Sequence, residues 1–383
     1  MTDLATLSAA DLAHLERARH LARRGWGDAN APRSYGEAAI PNPLVGCVVV
    51  REGGVVGEGY HRLFGGPHAE VVALEEARDR AQGATAYVTL EPCNHHGKTP
   101  PCALALIESG VRRVVFGARD PGPGSGGGAE RLRAAGLDVV GPVWSEREGR
   151  AENPAFFHVS RHRRPYLALK LAVSLDGCLA ARPGARTRLT GLESEREVHR
   201  LRTGHDAVLI GAGTATADDP LLTPRHGDAG AALPRRIVLD SEGALASDAA
   251  LFRDRERAPV HVFVRQDVSE AVLERLEAAG AHVHPVRRSE AGLALDDVLV
   301  ACWGLGMRSI LCEGGGRVAG SLLREGRVHR LYLFIAPTTL GSSAVRAFPP
   351  EAGSIAWDAF VPAFAPSLHG RDTLLVLDRE DRP

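Results

Sequence analysis

The 383 residues exceed what one hydrophobic core ordinarily organises, so two domains are expected. Lys and Arg number 46 against 47 Asp and Glu, which removes a global electrostatic case for nucleic acid. No apolar stretch approaches the ~20 residues that span a bilayer, and the cysteines, with no secretion signal before them, read as reduced thiols in the cytoplasm. Small-molecule ligands are therefore expected, with no nucleic acid and no membrane; a homo-oligomer stays open.

In chain order, MTDLATLSAADLAHLERARHLARRG reads as an amphipathic helix rather than a signal peptide, with Leu12, Leu15, Ala18, His20 or Leu21, and Ala22 near helical spacing. Pro41 to Val50 is a turn followed by a β-branched strand, Arg51-Glu52-Gly53-Gly54 supplies a hairpin turn, and Val55 to Gly59 starts the return. A helix is predicted from near Pro67 through HAEVVALEEARDRA to Gly83, then a strand in ATAYVTLEP. CALALIESG is a short helix capped by Gly110, and VRRVVFGARD is a strand. The glycine-rich residues 121–128 lead into one further αβ unit of the same sheet, ERLRAAG and LDVV. A boundary is placed in WSEREGRAENPAFFHVSRHRRP, which gives domains 1–148 and 149–383. A second α/β pattern starts at Tyr166 and continues with strands in DAVLIGAG, RRIVLDS, PVHVFVR, RSILCEGGG and RLYLFIAP.

The chemistry concentrates in three short pieces. Pro67-His68-Ala69-Glu70 opens a helix, Glu91-Pro92-Cys93 ends a strand, and Cys102 follows Pro100-Pro101. One His and two Cys give zinc three protein ligands and leave a fourth position for water, the pattern of a catalytic rather than a structural site. Zinc lowers the pKa of such a water to about 7, and a carboxylate outside the ligand set, Glu70, can carry its proton to a leaving amine. Each piece alone is ordinary: H-x-E recurs by chance, and a single Cys is more often a buried thiol. Residues two apart on a helix also point roughly 200° away from each other, so His68 and Glu70 share a target only at a helix end. Together and in this order they match the zinc-deaminase signature of H-x-E followed by P-C-x-x-C, except that eight residues, NHHGKTPP, separate Cys93 from Cys102. His95 and His96 in that insertion are competing ligands. They are assigned to substrate contact, because a fourth protein ligand would close the metal.

These residues closely resemble the bifunctional riboflavin-biosynthesis deaminase/reductase family. The resemblance rests on PNPLVGCVVV, GEGYH, GGPHAEVVAL, AYVTLEPCNHHGKTPPC and ALIESGVRRVVFGARDP, then on KLAVSLDG, VHRLRTGHDAVLIGAGTATADDPLLTPR, SILCEGGGRVAGSLL and LYLFIAPTTLG. It implies an N-terminal cytidine-deaminase-like αβα domain followed by a dihydrofolate-reductase-like α/β domain. It further implies zinc and NADPH as cofactors, and a pyrimidine ribotide phosphate as substrate. The 2-amino group of 2,5-diamino-6-ribosylamino-4(3H)-pyrimidinone 5′-phosphate would be replaced by oxygen, and the ribosyl group then reduced to ribityl. By the same resemblance Asn42 helps to hold the pyrimidine.

In the second domain, Glu313-Gly314-Gly315-Gly316 joins a strand to a helix, and backbone N–H groups in such a turn can cradle phosphate. The spacing is not the Rossmann fingerprint. The resemblance implies that Ala172, Thr214, Asp218, Gly315, Gly316, Arg317, Val318, Ala319, Gly320 and Ser321 line the NADPH site. It places Arg202, Leu222, Arg225 and Glu313 against the sugar phosphate. The segment after SLDG departs from the family, with Arg186 and Arg188 where a Ser and a Trp are usual. That departure sustains an alternative: an active deaminase whose second domain is a catalytically impaired binding or assembly module.

Overall fold

The computed structural model describes residues 7–26, 42–62, 65–95, 100–122, 124–184, 186–224, 233–290, 292–348 and 359–380. The chain divides into two compact units, one closing at Arg163 and the other running on from Arg164.

The first unit begins with α1 (Ala9–Arg23), a hairpin of β1 (Gly46–Arg51) and β2 (Gly54–Tyr60), and α2 (Ala69–Ala77). It continues through β3 (Thr85–Leu90), α3 (Cys102–Glu108), β4 (Arg113–Ala118), α4 (Gly128–Ala134), β5 (Asp138–Val140), α5 (Glu146–Glu152) and α6 (Pro154–Arg161). Strand order is β2-β1-β3-β4-β5, antiparallel across β2, β1 and β3 and parallel from β3 to β5. The hairpin turns where predicted, with Glu52 and Gly53 both at positive φ (52° and 79°), the backbone of a type I′ turn. The helix expected to reach Gly83 stops at Ala77, and a 3-10 turn, Arg78–Ala81, completes it.

Both sheet faces are covered, so β1 carries no polar alternation: Cys47 and Val49 pack with Ala69 and Ala73 of α2, while Val48 and Val50 pack with Ala18 and Leu21 of α1. Leu15, buried with Ala18 in α1, anchors that helix, and Leu15→Ala would cost about 2–5 kcal/mol. Leu12, on the same predicted stripe, is exposed. Helix α2 lies directly on β2 because Gly57 and Gly59 present no side chain; a Cβ there would meet the Ala73 and Ala69 carbonyl oxygens at 2.1 and 2.3 Å.

The segment expected to hold the domain boundary near 148/149 is helical and packs on the first unit, which moves the division of compact units to Arg163/Arg164. Ser145 and Glu148 form a reciprocal capping box that starts α5. Phe156 and Phe157 of α6 bury against Leu90 and Ala118. The Asn153 side chain accepts from the Leu44 N–H (2.6 Å) and donates to the Leu44 carbonyl (3.1 Å), which fixes the Asn42-Pro43-Leu44 segment in place.

The second unit contains β6 (Tyr166–Ser174), β7 (Cys178–Ala180), α7 (Leu192–Thr203), β8 (Ala207–Gly211), α8 (Ala212–Asp218), β9 (Arg235–Leu239), β10 (Val260–Arg265), α9 (Glu270–Ala278) and β11 (Ala281–Val286). There follow β12 (Arg288–Ser289), β13 (Gly292–Leu293), α10 (Leu295–Gly304), β14 (Ser309–Cys312), α11 (Gly316–Arg324) and β15 (Arg330–Ala336). The last strands are β16 (Val345–Arg346), β17 (Phe360–Pro362), β18 (Ser367–His369) and β19 (Asp372–Arg379). The main sheet runs β11-β10-β9-β8-β14-β6-β15-β19-β17, parallel as far as β15 and antiparallel beyond. Strand order reverses around β8 and β14. In open parallel sheets, ligands bind beyond the carboxyl ends of the strands at such a switch.

Candidate active sites

In the first unit the three expected ligands converge. His68 Nδ1 lies 3.1 Å from Cys102 Sγ and 3.5 Å from Cys93 Sγ, and the three donor atoms lie within 4.8 Å of one another. Each is placed by a helix end or strand end. His68 is the N-cap of α2, Cys102 is the first residue of α3, and Cys93 follows β3. The Cys102 backbone N–H points at Cys93 Sγ (3.4 Å), which favours the thiolate. The Cys102 thiol, with His68 adding to it, holds Cys93 below the ordinary thiol range, while Cys102 is pushed up in exchange. The Cys93 sulfur in turn raises the His68 pKa. One imidazole and two sulfurs on one side, with no fourth His, Cys, Asp or Glu in the cluster among the described residues, suit a zinc ion with an open position.

Glu70 occupies the first turn of α2 and is 3% exposed. Burial first, and the Cys93 charge second, push its carboxyl up to about 7. A cation at the ligand set acts in the opposite direction. Such a group can both take and give a proton near neutrality.

Asn42 donates its amide to His61 Nε2 at 2.8 Å. His61 Nδ1 stands 2.9 Å from the Pro67 carbonyl, which can only accept, so Nδ1 carries the proton and Nε2 is the acceptor. That fixes the Asn42 flip and presents its Oδ1 elsewhere. His61 is buried, held below its ordinary pKa by desolvation, and meets His68 edge-on at 5.4 Å between ring centroids. Sequence reading passed over it; its one signal was a His closing a strand just before the Pro-His motif. Glu91 was also passed over. Its buried carboxylate accepts from the backbone N–H groups of Gly127, Ala129 and Asp120, at 3.2, 3.1 and 3.3 Å, tying the glycine-rich loop to the Pro-Cys segment. Gly128 completes the tie, because a Cβ there would sit 1.7 Å from the Pro92 carbonyl oxygen. His95 is exposed, and His96 lies outside the described residues.

In the second unit a cavity of about 1780 Å³ opens beyond the carboxyl ends of β6, β8, β9 and β14. Ala172, Thr214, Asp218, Gly315, Gly316, Arg317, Val318 and Ser321 line it, as do Arg202, Leu222 and Glu313. Ala319 and Gly320 do not. The helical period turns both to the interior, where Ala319 joins the main core cluster. Arg225 lies outside the described residues. The Gly315 N–H donates to Thr214 Oγ1 at 2.8 Å, which joins α8 to the glycine turn. Leu222 is 3% exposed with φ of 59°, a left-handed conformation that β- and γ-branched side chains rarely adopt.

Arg202 does not present a free fork. Its Nε and NH2 are taken by the two Glu313 oxygens at 2.5 and 2.9 Å, a buried bidentate pair that holds Glu313 ionised. Lys170, inside the apolar run of β6, also lines the cavity. Burial holds its pKa below the ordinary lysine value, with Glu313 opposing. Sequence reading missed it, although a lone charge in a parallel strand was the available signal. Arg188 is engaged by Glu195 at 2.9 Å.

Fold and site define a zinc-type pyrimidine deaminase unit joined to a reductase unit. The model of the cytidine and deoxycytidylate deaminase zinc-binding region matches residues 28–118, and that of the RibD C-terminal domain matches residues 165–359. The riboflavin biosynthesis protein RibD of Aquifex aeolicus is 43% identical over 302 residues, 79% of this chain and 82% of that protein. The solved structure of Acinetobacter baumannii RibD superposes with a TM-score of 0.78 at 32% identity, covering 97% of this chain and 99% of that one. A diaminohydroxyphosphoribosylaminopyrimidine deaminase/5-amino-6-(5-phosphoribosylamino)uracil reductase from Thermotoga maritima gives 0.77 at 32% identity with the same coverage. The chain belongs to the RibD family of riboflavin-biosynthesis enzymes. Among the described residues no helix is long and apolar enough to cross a membrane.

Proposed function

We propose that the first unit hydrolytically deaminates 2,5-diamino-6-ribosylamino-4(3H)-pyrimidinone 5′-phosphate and that the second reduces the ribosyl group of the product to ribityl. The convergence of His68, Cys93 and Cys102 beside buried Glu70 carries this reading. Zinc held by those three residues supplies the Lewis acidity that makes water nucleophilic at neutral pH. Glu70 would take one proton from the attacking water and give it to the ring nitrogen. It would then take the second from the hydroxyl left on the ring carbon and give it to the departing amine, so that both water protons are accounted for. Asn42, held by His61, offers Oδ1 to an N–H of the pyrimidine.

In the second unit Thr214, Asp218 and the Gly315-Gly316 turn would hold NADPH, which would supply the hydride that reduces the anomeric carbon of the sugar. As that carbon is reduced, its bond to the ring oxygen breaks, and the oxygen requires a proton. Lys170, the cavity-lining acid with a lowered pKa, is suited to give it, with ionised Glu313 orienting the ammonium. With Arg202 engaged by Glu313, the pair acts as one fixture for the sugar. The intact glycine turn, Lys170 and this pair support a working reductase over a binding module.

Glu70→Gln should keep stoichiometric zinc and lower ammonia release by about 10²-fold or more, while NADPH oxidation on already deaminated substrate continues. Deamination within tenfold of wild type would remove Glu70 from the proton path. Absence of ammonia release by the zinc-loaded wild type would sink the deaminase assignment.

A further inference from the structure

We propose that Arg131 is the anchor for the substrate's phosphate in the deaminase unit. The inference rests on the deaminase reading above and adds to it a residue that sets preference for a phosphorylated ring system.

Arg131 lies in the middle of α4, and its NH1 donates to Asn94 Oδ1 at 3.0 Å. Asn94 is the residue next to the ligand Cys93, and its own N–H donates to the Ser125 carbonyl at 3.0 Å. One hydrogen bond therefore separates the guanidinium from the residue adjoining the metal ligand. The helix that carries it is tied at its N-terminus to the Glu91-Pro92 segment. Glu91 holds the Gly127 and Ala129 amides, and Gly128 is pressed on the Pro92 carbonyl. The guanidinium is thereby tied to the Pro92-Cys93 segment that carries a metal ligand.

The charge on Arg131 meets no carboxylate among the described residues. Among the described residues it makes no ion pair, although it is half-buried. The nearby Arg119 is already matched with Glu130 at 3.5 Å on the same helix, and both are largely exposed. A guanidinium partly withdrawn from water loses hydration that one amide oxygen does not restore. An anion arriving with the substrate restores it, and the remaining N–H groups of the fork suit a phosphate. The proposed substrate has a single anionic group, its 5′-phosphate. Asp120, the buried acid of the neighbouring loop, does not compete for the guanidinium, since its carboxylate accepts from the Gly122 N–H at 2.7 Å and from Ser125.

The test compares ammonia release from the phosphorylated substrate and from its dephosphorylated counterpart, for wild type, Arg131→Gln and Arg131→Lys. In wild type, kcat/KM should favour the phosphorylated compound. In Arg131→Gln that preference should collapse by tenfold or more, through KM for the phosphorylated compound rather than through kcat. Arg131→Lys, which keeps the charge but not the fork, should recover part of the preference. A preference unchanged in Arg131→Gln would overturn the proposal. So would an equal loss on both compounds, which is the signature of a purely structural tie. Zinc content and melting temperature of each variant report whether the fold is kept. If zinc-loaded wild type releases ammonia from neither compound, the deaminase reading itself fails and this inference falls with it.

Discussion

The two units build their sites in opposite ways. In the first, the ligands and the proton carrier come from residues 68–102, and each ligand is set by backbone geometry: a helix N-cap, a strand end and a helix first residue. In the second, the cavity gathers side chains from strand ends, loops and helices spread from Lys170 to Arg346, and its central charges meet because Arg202 of α7 reaches Glu313 beyond the carboxyl end of β14. A site set by local turns survives as a recognisable string. A site assembled by a sheet depends on register, and its residues have no fixed spacing.

Treatments that act on one unit alone should break this comparison. Removing divalent metal with a chelator is expected to abolish ammonia release and leave NADPH oxidation on deaminated substrate within about twofold, since among the described residues one site alone has the donor set for zinc. Equal loss of both activities would mean that the second site also depends on the metal. Lys170→Met should do the reverse, lowering NADPH oxidation by about 10²-fold with ammonia release unchanged. If reduction persists at the wild-type rate, the proton comes from elsewhere.

The smallest effect expected is one of stability. His205 is 4% exposed, its Nδ1 donates to the Leu201 carbonyl at 2.8 Å, and burial depresses its pKa to about 4. It therefore folds neutral. Below the unfolded value of about 6.5 the unfolded chain takes up a proton that the native state refuses until pH falls to about 4. Stability is full above the unfolded pKa and declines as pH drops through this window, by at most about 3 kcal/mol from this group. Urea unfolding midpoints at pH 7 and pH 5 should show the loss in wild type and a smaller one in His205→Asn. An identical pH dependence in the two proteins would clear His205 of this role.

Much of the first site was legible because Pro-His-Ala-Glu and Pro-Cys carry their own geometry; a proline before each ligand marks the helix or loop start that aims it. The supporting residues were not. His61 acts through a ring tautomer, and Glu91 through three amides of a loop distant in sequence, and neither leaves a spacing to detect. Helices α5 and α6 hid in a segment read as a boundary, although Ser145 with Glu148 and Asn153 before Pro154 were start signals. In the second unit the strands were readable from their β-branched runs, but the Arg202–Glu313 pairing joins a helix to a strand end and required the fold itself. The glycine turn was found as a string, yet which of its followers face the cavity was decided by helical phase, and Ala319 and Gly320 turn inward.

Leu222 illustrates what a functional surface asks of a chain. Held at φ 59° beside the cavity, it occupies a conformation that costs on the order of 1–3 kcal/mol for a side chain of this kind. Glycine there would relax the backbone and empty the buried pocket that the leucine fills. Truncating a buried leucine costs about 2–5 kcal/mol, more than the strain relieved, so selection for thermal resistance and selection for riboflavin production should both hold this position. Leu222 marks a point where packing outweighs the backbone conformation it requires.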